Sequence, residues 1–327
     1  MHLLRSYFLT ACAVSFLAAC NSDNNTTTMT PDGGAGSGGT VSVTLDTSFS
    51  DDGIALLNTG NAARSMVIDS NGNILVAGNG GSLTNLEMLV MRLDDTGVLD
   101  TTFGTNGVVT HDGAAGGTDE QEYGETIALD SNGKIVVAGT SSDASSGLDM
   151  AIWRLNSDGS MDTGFDLDGV VTHAIGTGSD RGYGLAIDST DRIIVVGRTK
   201  NTSRDLAVWR FNSDGSLDTT FNTTGHASDT SSVGSALDLV LDSSGNIMVS
   251  GYVDDGSSFN MAVWRFTAAG VLDTEFDSDG IYTHDAAAGF SGTDGGFAIA
   301  IDTNSRLVIA GVSNNGTDTD FAVWRTE

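Results

Sequence analysis

The sequence predicts an all-β fold assembled from five repeated sheet units. Three observations lead to this prediction. The motif L/M-D-T-x-F recurs five times at intervals of 54 to 62 residues, and short segments rich in Val and Ile alternate with turns rich in Asp and Gly. No long segment after residue 40 shows the 3.6-residue hydrophobic period of an amphipathic helix.

The first residues of the chain have the layout of a bacterial export signal. Arg5 precedes an apolar stretch, Tyr7 to Ala19, that is shorter than the ~20 residues of a membrane-spanning helix. The stretch ends in Leu-Ala-Ala followed by Cys20, which resembles the lipobox of bacterial lipoproteins. That resemblance implies cleavage before Cys20, lipidation of its thiol and a membrane anchor, and Asn21 at the next position implies the outer membrane. The alternative is an ordinary signal peptide with an incidental cysteine.

The following segment is a polar tether. Residues 21–40 contain almost no large apolar side chain and include the only proline, Pro31. The predicted organisation is therefore a signal peptide over 1–19, a lipidated cysteine with a flexible tether over 20–40, and a five-repeat domain over 41–327. Both cysteines precede residue 41, so a disulfide scaffold and a cysteine-based zinc or redox site are excluded for that domain.

Each repeat unit begins at the L/M-D-T-x-F motif and keeps several further positions. A Gly lies four residues after the Phe, an apolar stretch then ends in Asp, and a second apolar run ends in Gly. A last apolar segment ends in Trp-Arg, or in Met-Arg in the first unit. A period of this size is typical of a solenoid, a propeller or a related array. The five motif copies are Leu45–Phe49, Leu99–Phe103, Met161–Phe165, Leu217–Phe221 and Leu272–Phe276.

Four short strands are predicted in every unit. In the third unit they are Gly169–His173, Tyr183–Ile187, Arg192–Gly197 and Leu206–Phe211. The run Ile193–Val196 does not alternate polar and apolar residues, which indicates a strand covered on both faces. Blades packed around an axis give such cover, and ring closure leaves only short, protected edges. The fold predicted is therefore a β-propeller of five four-stranded blades, with an open array of stacked β-sheets as the alternative.

The segments LDTTFG and AVWRFNSDGSLDTTF resemble the delta-60 repeat, which occurs in tandem in exported bacterial proteins and is regarded as propeller-forming. The resemblance spans Leu45 to Glu327 and implies export and a propeller-like shape, but no catalytic residues. The sequence departs from the pattern at Met91, where the other units have Trp, and at Thr267–Gly270, where they have a polar turn. The fifth unit stops just after Arg325.

The two ends of the predicted sheets differ. The turns between second and third strands are short and alike, as in Ser131–Gly133, and the links between units repeat closely. The loops at the opposite end differ in length and content, as His111–Glu122 and Ser141–Gly147 show. Because binding residues tend to lie on loops held by a rigid frame, a ligand site is predicted on this variable face.

Three histidines occupy one repeat position, which holds Leu57 and Asp229 in the other two units. Converging imidazoles could bind Zn²⁺ or another transition metal. The alternative is a polar strand end that was copied with the repeat. The histidines are His111, His173 and His284.

Acidic turns also recur, at Asp166 and Asp168 and at Asp277 and Asp279. Carboxylate and carbonyl oxygens are ligands suited to Ca²⁺, which is the cofactor these turns suggest. None of the turns matches the full D-x-[DN]-x-[DN]-G loop with its distant Glu. Turn formation alone also explains Asp at these positions, because its carboxylate bonds to nearby backbone amides.

The Trp-Arg pairs that close the units are interpreted as a structural latch. A buried Trp beside an Arg that pairs with a nearby carboxylate would hold one sheet to the next. Their presence in every unit, whatever its loops contain, favours this role over ligand binding. The latch residues are Trp153 and Arg154, Trp209 and Arg210, Trp264 and Arg265, and Trp324 and Arg325.

Composition narrows the function classes. The chain of 327 residues carries 43 acidic residues against 14 Lys and Arg, a formal net charge of −29, which excludes nucleic acid as a partner. Neither a G-x-S-x-G elbow nor an H-E-x-x-H motif occurs. Three hypotheses remain: a lipid-anchored module that binds or scaffolds envelope proteins or glycans, a glycan hydrolase or lyase on the variable face, and a surface-coating or adhesive repeat protein.

Overall fold

The Val- and Ile-rich segments of the repeats form antiparallel strands. The described residues contain no helix, so none of them could span a bilayer as a helix, and the all-β prediction is confirmed. In the computed structural model, placement is described for residues 44–58, 60–82, 84–117, 121–143, 147–200, 204–229 and 233–327. Cys20, the signal peptide and the tether lie outside these residues.

Five sheets follow one another along the compact unit Thr47–Glu327. The described part of the other unit, Met1–Asp46, holds no strand. Sheet 1 contains β1 (Ala62–Ile68), β2 (Ile74–Ser82), β3 (Asn85–Leu93) and β4 (Val108–His111). Sheet 2 contains β5 (Tyr123–Leu129), β6 (Ile135–Ser142), β7 (Leu148–Leu155) and β8 (Val170–His173). Sheet 3 contains β9 (Arg181–Ile187), β10 (Ile193–Lys200), β11 (Arg204–Phe211) and β12 (His226–Asp229). Sheet 4 contains β13 (Val233–Leu241), β14 (Ile247–Asp254), β15 (Phe259–Phe266) and β16 (Ile281–His284), and sheet 5 contains β17 (Gly295–Ile301), β18 (Leu307–Asn314) and β19 (Thr319–Arg325).

Each four-stranded sheet takes its last strand from the following repeat unit. The strand predicted to open the third unit forms as β8, but it pairs with β7 of sheet 2. The L/M-D-T-x-F motif is the tight loop that returns the chain to the same sheet: the amide of Asp162 donates to the carbonyl of Arg154 (2.9 Å), and that of Gly169 to Phe165 (2.8 Å). The prediction that each repeat unit forms one complete four-stranded meander is therefore wrong by one strand, because the first strand of a unit completes the sheet of the preceding unit.

This shift in phase leaves both ends of the array incomplete. The prediction of five four-stranded blades is met by sheets 1 to 4, whereas sheet 5 has three strands and the five sheets do not close into a ring among the described residues. The segment of the first unit that corresponds to β4 is Ile54–Leu57, and it lies outside any strand. Leu56 is 89% exposed, and Phe321 on the edge strand β19 is 92% exposed.

The hydrophobic core lies between neighbouring sheets. Ile193 and Val195 of sheet 3 pack against Val136 and Ile152 of sheet 2, and equivalent clusters fill the other junctions. All four residues of the run Ile193–Val196 are buried, as their lack of alternation predicts. The first strands β1, β5, β9, β13 and β17 contact one another in series, and we call them the inner strands.

Candidate functional site

Every inner strand carries a β-bulge at the same place. In sheet 2, Gly124 pairs with Gly139 and Thr126 with Ala138, so that Glu125 is the extra residue. The same shift in pairing occurs in the other four sheets. A bulge bends the strand and re-aims one side chain, and bulges are frequent next to binding sites. The five bulged residues are Arg64, Glu125, Tyr183, Leu237 and Phe297.

The bulge explains the Gly that lies within the second strand of each sheet. A Cβ atom on Gly139 would lie 1.7 Å from the carbonyl oxygen of Tyr123, and one on Gly197 would lie 1.8 Å from that of Arg181. Only a residue without a side chain permits this approach. The Gly and the bulge therefore form one repeated frame, within which the bulged residue itself differs from sheet to sheet.

The bulged residues of three sheets meet with two further arginines to form what we call the axial cluster. Arg64 of sheet 1 forms an ion pair with Glu125 of sheet 2 at 2.9 Å. In sheet 3, the guanidinium carbon of Arg198 lies 5.8 Å from the ring centre of Tyr183. Arg181 lies close enough to Glu125 to stabilise its charge. The members are Arg64, Glu125, Arg181, Tyr183 and Arg198.

Several polar atoms of the axial cluster are buried without a hydrogen-bond partner among the described residues: Nε of Arg181, the hydroxyl of Tyr183 and Nη1 of Arg198. Burial raises the pKa of Tyr183 above its ordinary value, despite the two nearby arginines. Burial also raises the pKa of Glu125, although Arg64 and Arg181 oppose the shift. Buried polar groups are normally hydrogen-bonded, so this cluster offers unused donors.

The axial cluster lies toward the variable-loop end of the inner strands. Tyr183 and Arg181 are the third and first residues of β9, which follows the loop from β8, and Arg198 is close to the end of β10 on the same side. The cluster is built from strand residues, whereas the sequence analysis looked for a site on loops. The sequence does carry a signal of the cluster: five residues before the repeated Asp that follows each inner strand, the five units hold Arg, Glu, Tyr, Leu and Phe, although the neighbouring positions repeat.

The histidines of the repeat position lie on the outer strands β4, β8 and β16, apart from the inner strands. His111 of sheet 1 meets Trp153 of sheet 2 edge-on, with ring centres 6.3 Å apart. His284 of sheet 4 meets Trp324 of sheet 5 in the same way at 6.4 Å, and the indole N–H donates to its Nδ1 at 3.4 Å. These two histidines therefore each contact the Trp of the following sheet.

Two further members of this repeat position, His173 and Asp229, also contact the following sheet. His173 contacts Phe211 and His226, with ring centres 6.2 and 5.7 Å apart. The carboxylate of Asp229 accepts the indole N–H of Trp264 at 3.2 Å. Burial lowers the pKa of His173 and of His226. The three repeat histidines are thus not brought together, and the described residues hold no group of three or more His, Cys, Asp or Glu suited to a metal ion.

The acidic turns form local backbone contacts. Asp168 caps the start of β8 by accepting the amide of Val170 at 2.9 Å, and Asp279 accepts the amide of Ile281 at 2.9 Å. Asp166 and Asp277 have positive φ angles of 44° and 47°, a conformation that Asp tolerates in tight turns. These contacts are those that turn formation alone requires.

Three of the four predicted latch arginines, Arg154, Arg210 and Arg265, pair with the aspartate of the motif that follows them. Arg154 reaches Asp162 at 2.7 Å, and Arg210 reaches Asp218 at 2.8 Å. Each guanidinium also lies over the Phe of that motif, as Arg154 does over Phe165 at 4.5 Å. Arg154 and Arg210 also donate to a backbone carbonyl of the next sheet's turn, as Arg92 of the first unit does. The buried tryptophans Trp153, Trp209 and Trp264 lie in the adjoining cores, while Trp324 and Arg325 belong to the edge strand β19.

A buried carboxylate anchors the variable loop that precedes an inner strand. Glu122 accepts hydrogen bonds from the amide of Gly113 (3.1 Å) and the hydroxyl of Ser141 (2.7 Å). Asp180 accepts the amide of Ile175 at 2.8 Å in the same place before β9. Burial, with a smaller contribution from the neighbouring Asp112, raises the pKa of Glu122 to about 7, and burial raises that of Asp180 to about 6.

These raised pKa values predict an unusual pH dependence of stability. Glu122 holds its proton more tightly in the folded protein than in the unfolded chain. The free energy of unfolding therefore falls as pH rises from about 5 to about 7, where the folded protein keeps a proton that the unfolded chain has released. We expect Glu122→Gln to remove about 2 kcal/mol of this decline. Denaturant unfolding at pH 5 and pH 8 measures it, with the exposed Glu275→Gln as control. Equal declines in wild type and Glu122→Gln would show that Glu122 does not titrate in this range.

The comparisons with known proteins agree with the observed fold. The sequence matches a family profile described as "Domain of unknown function (DUF5122) beta-propeller" over residues 70–103, 131–165 and 189–221. These segments fall at equivalent places in three consecutive repeats, which supports a propeller-like repeat family. No curated protein sequence matches the chain.

Solved structures with a similar fold include a protein of unknown function from Dyadobacter fermentans DSM 18053, with 12% identity and a TM-score of 0.51 over 83% of this chain and 78% of that chain. A gluconolactonase from Xanthomonas campestris has 15% identity and a TM-score of 0.42, over 84% of this chain and 74% of its own. An ulvan lyase of family PL25 has 12% identity and a TM-score of 0.47, over 80% and 66%. The first likeness shows the fold alone, and no chemistry is transferred from the other two.

Proposed function

We propose that this protein is a lipid-anchored binding module of the bacterial cell envelope, with the axial cluster as its binding site. One observation carries the proposal: five bulges are held by a strictly repeated frame, yet each presents a different side chain. If the bulges served only the stability of the sheets, the residue that each bulge re-aims would be expected to repeat as the frame does. Rigid elements position binding groups more accurately than loops do.

The proposal includes closure of the five sheets into one ring. Ile54–Leu57 would be the fourth strand of sheet 5, since the equivalent residues of the other units pair with the third strand of the preceding sheet. Chain segments just before it are already seated as at the other junctions: the amide of Ser50 donates to the carbonyl of Thr96 at 2.7 Å, as Asp166 does to Asp214 at 2.9 Å.

The residues that would meet at the junction between sheet 5 and sheet 1 support this closure. Where three other junctions pair a His or Asp with a Trp, the first unit has Leu57 and Met91. Both polar partners are thus replaced together by apolar ones, as expected if Leu57 lies against Met91 at the end of a fourth strand. Closure would also cover Met66 and Ile68, which are 59% and 56% exposed.

Anchoring at Cys20 would hold the ring at the membrane on the tether of residues 21–40. Acylation of a cysteine together with its amine exceeds the two lipid signals that stable anchoring requires. The resemblance at Cys20 favours the outer membrane, and the proposal leaves the side it faces open. Envelope glycans or proteins are then the partners within reach.

An array of neutral and acidic bacterial glycans tests the binding function. The full chain in detergent should bind a subset of them, and Arg181→Ser, Tyr183→Phe and Arg198→Thr together should abolish that binding. Each substitution places a residue found at the same position of another sheet: Ser235, Phe297 and Thr140. Arg204→Ala, which removes an exposed arginine of sheet 3, is the control.

The outcomes of this array separate the hypotheses. Binding that survives the triple substitution would contradict the axial site, and the absence of any binding would contradict a glycan-binding module. Shortened glycans after incubation would favour the alternative of a hydrolase or lyase over simple binding. Folding of the variants is checked by their unfolding midpoints.

A further inference from the structure

The unused donors of the axial cluster belong to arginines without a carboxylate partner. Arg64 is paired with Glu125, and the arginines that close the first four repeat units are paired with motif aspartates. In contrast, no carboxylate among the described residues lies within 4.0 Å of Arg181 or Arg198. Both side chains are only half-exposed, so water does not fully compensate for the missing acceptor.

This arrangement is notable because the protein is so acidic. The chain has 14 Lys and Arg against 43 Asp and Glu, so carboxylates are available for pairing almost everywhere on its surface. Three arginines nevertheless lie together on β1, β9 and β10 of sheets 1 and 3, with Glu125 as the one carboxylate of the cluster. The local charge of the cluster is therefore positive within a strongly negative molecule.

The geometry points to a small oxyanion as the ligand of the axial cluster: a carboxylate, as in an acidic sugar, or a phosphate. This inference rests on the proposed binding function and specifies its ligand class. The Arg198 guanidinium would donate through Nη1 and the Arg181 guanidinium through Nε, and the Tyr183 hydroxyl would donate a third hydrogen bond. The planar guanidinium fork matches both carboxylate and phosphate, whereas a neutral ligand would leave the arginine charge uncompensated.

The remaining members position these donors. Arg198 lies over the ring of Tyr183, which restricts the guanidinium to one side of the cluster. Glu125 accepts the Nη1 hydrogen bond of Arg64 at 2.9 Å and so holds that arginine against the ring of Tyr123. A bound anion would then meet Arg181 and Arg198 first, with Arg64 kept back by its own partner.

Titration calorimetry of the full chain in detergent tests the inference. The probes are sodium glucuronate and inorganic phosphate, with glucose as a neutral probe of similar size. We expect saturable binding of at least one anion and none of glucose. Arg198→Thr and Arg181→Ser should each lower the affinity for the anion by at least tenfold, and Tyr183→Phe should lower it by a few fold. The Arg204→Ala variant should bind the anion with the affinity of the wild type.

Each result has a defined meaning. Binding of glucuronate alone identifies a carboxylate ligand, and binding of phosphate alone identifies a phosphate ligand; both support the inference. Binding of neither anion, or unchanged affinity in Arg198→Thr and Arg181→Ser, overturns it. If the glycan array is positive while both anions fail to bind, the ligand class is wrong and the binding function stands.

Discussion

Replacing Arg210 by alanine is expected to lower the free energy of unfolding by about 3 kcal/mol, because it removes the nearest counter-charge of a buried carboxylate and leaves only Arg192, at 3.8 Å, beside it. Arg210 and its partner Asp218 are each 5% exposed, with nitrogen and oxygen 2.8 Å apart. Burial alone would raise the pKa of Asp218, but hydrogen bonds from Thr220 and the charge of Arg210 lower it. The carboxylate therefore stays ionised in the fold.

Arg210 also joins two sheets. Its guanidinium lies 4.7 Å from the ring centre of Phe221 and donates to the carbonyl of Ala268 in the turn of sheet 4. The loss of Arg210 is thus expected to weaken the junction between sheets 3 and 4 as well as the charge compensation of Asp218. Denaturant unfolding, followed by tryptophan fluorescence, measures the change.

Two comparisons make the Arg210 prediction specific. Arg204→Ala removes an exposed arginine of the same sheet and should change stability by no more than about 0.5 kcal/mol. The double variant Arg210→Met with Asp218→Asn removes both charges and should recover part of the loss. An unfolding midpoint of Arg210→Ala equal to that of wild type would contradict the latch interpretation.

The sequence was sufficient to predict the strands and the packing of the sheets. The run Ile193–Val196 could be read as buried on both faces because it lacks any polar alternation. The repeated Trp-Arg pairs could be read as structural because every unit keeps them. These features depend on local composition and on period, which a single sequence displays directly.

The phase of the sheets could not be predicted in the same way. Whether Val170–His173 pairs with the strand before or after it depends on how the loop Asp162–Gly169 folds, and that is decided by two backbone hydrogen bonds. Pairing with the preceding sheet moves the incomplete ends to Ile54–Leu57 and to β19. The repeat count alone does not contain this information.

The axial cluster was missed for a related reason. Arg64, Glu125 and Tyr183 lie in segments that otherwise look like ordinary buried strands. Only the bulge, which shows as a shift in pairing between strands, re-aims them and brings two sheets' residues within 2.9 Å. The repeat histidines and the acidic turns have residue types that suggest metal chemistry, but the histidines lie at the sheet junctions and the acidic residues form turn contacts.

Closure of the ring is the second prediction with a large expected effect, because it is all or none. In sheets 1 to 4 the residue three before the Trp or Met of the third strand pairs with the last residue of the fourth strand, as Met261 does with His284. The same register places Phe321 opposite Leu57. Directly opposed residues have Cβ atoms about 4.5–5.5 Å apart, close to the separation that a disulfide needs.

A cysteine pair at these two positions tests the ring most directly. Leu57→Cys and Phe321→Cys are introduced together in a chain with Cys12→Ser and Cys20→Ser, and mild oxidation is followed by electrophoresis without reductant. Leu57→Cys with Glu275→Cys, an exposed position of the loop between β15 and β16, is the control. We predict an intramolecular disulfide in a monomer for the first pair and free thiols for the control. Dimers or longer ladders linked through the first pair, or free thiols in both variants, would contradict a ring closed within one chain.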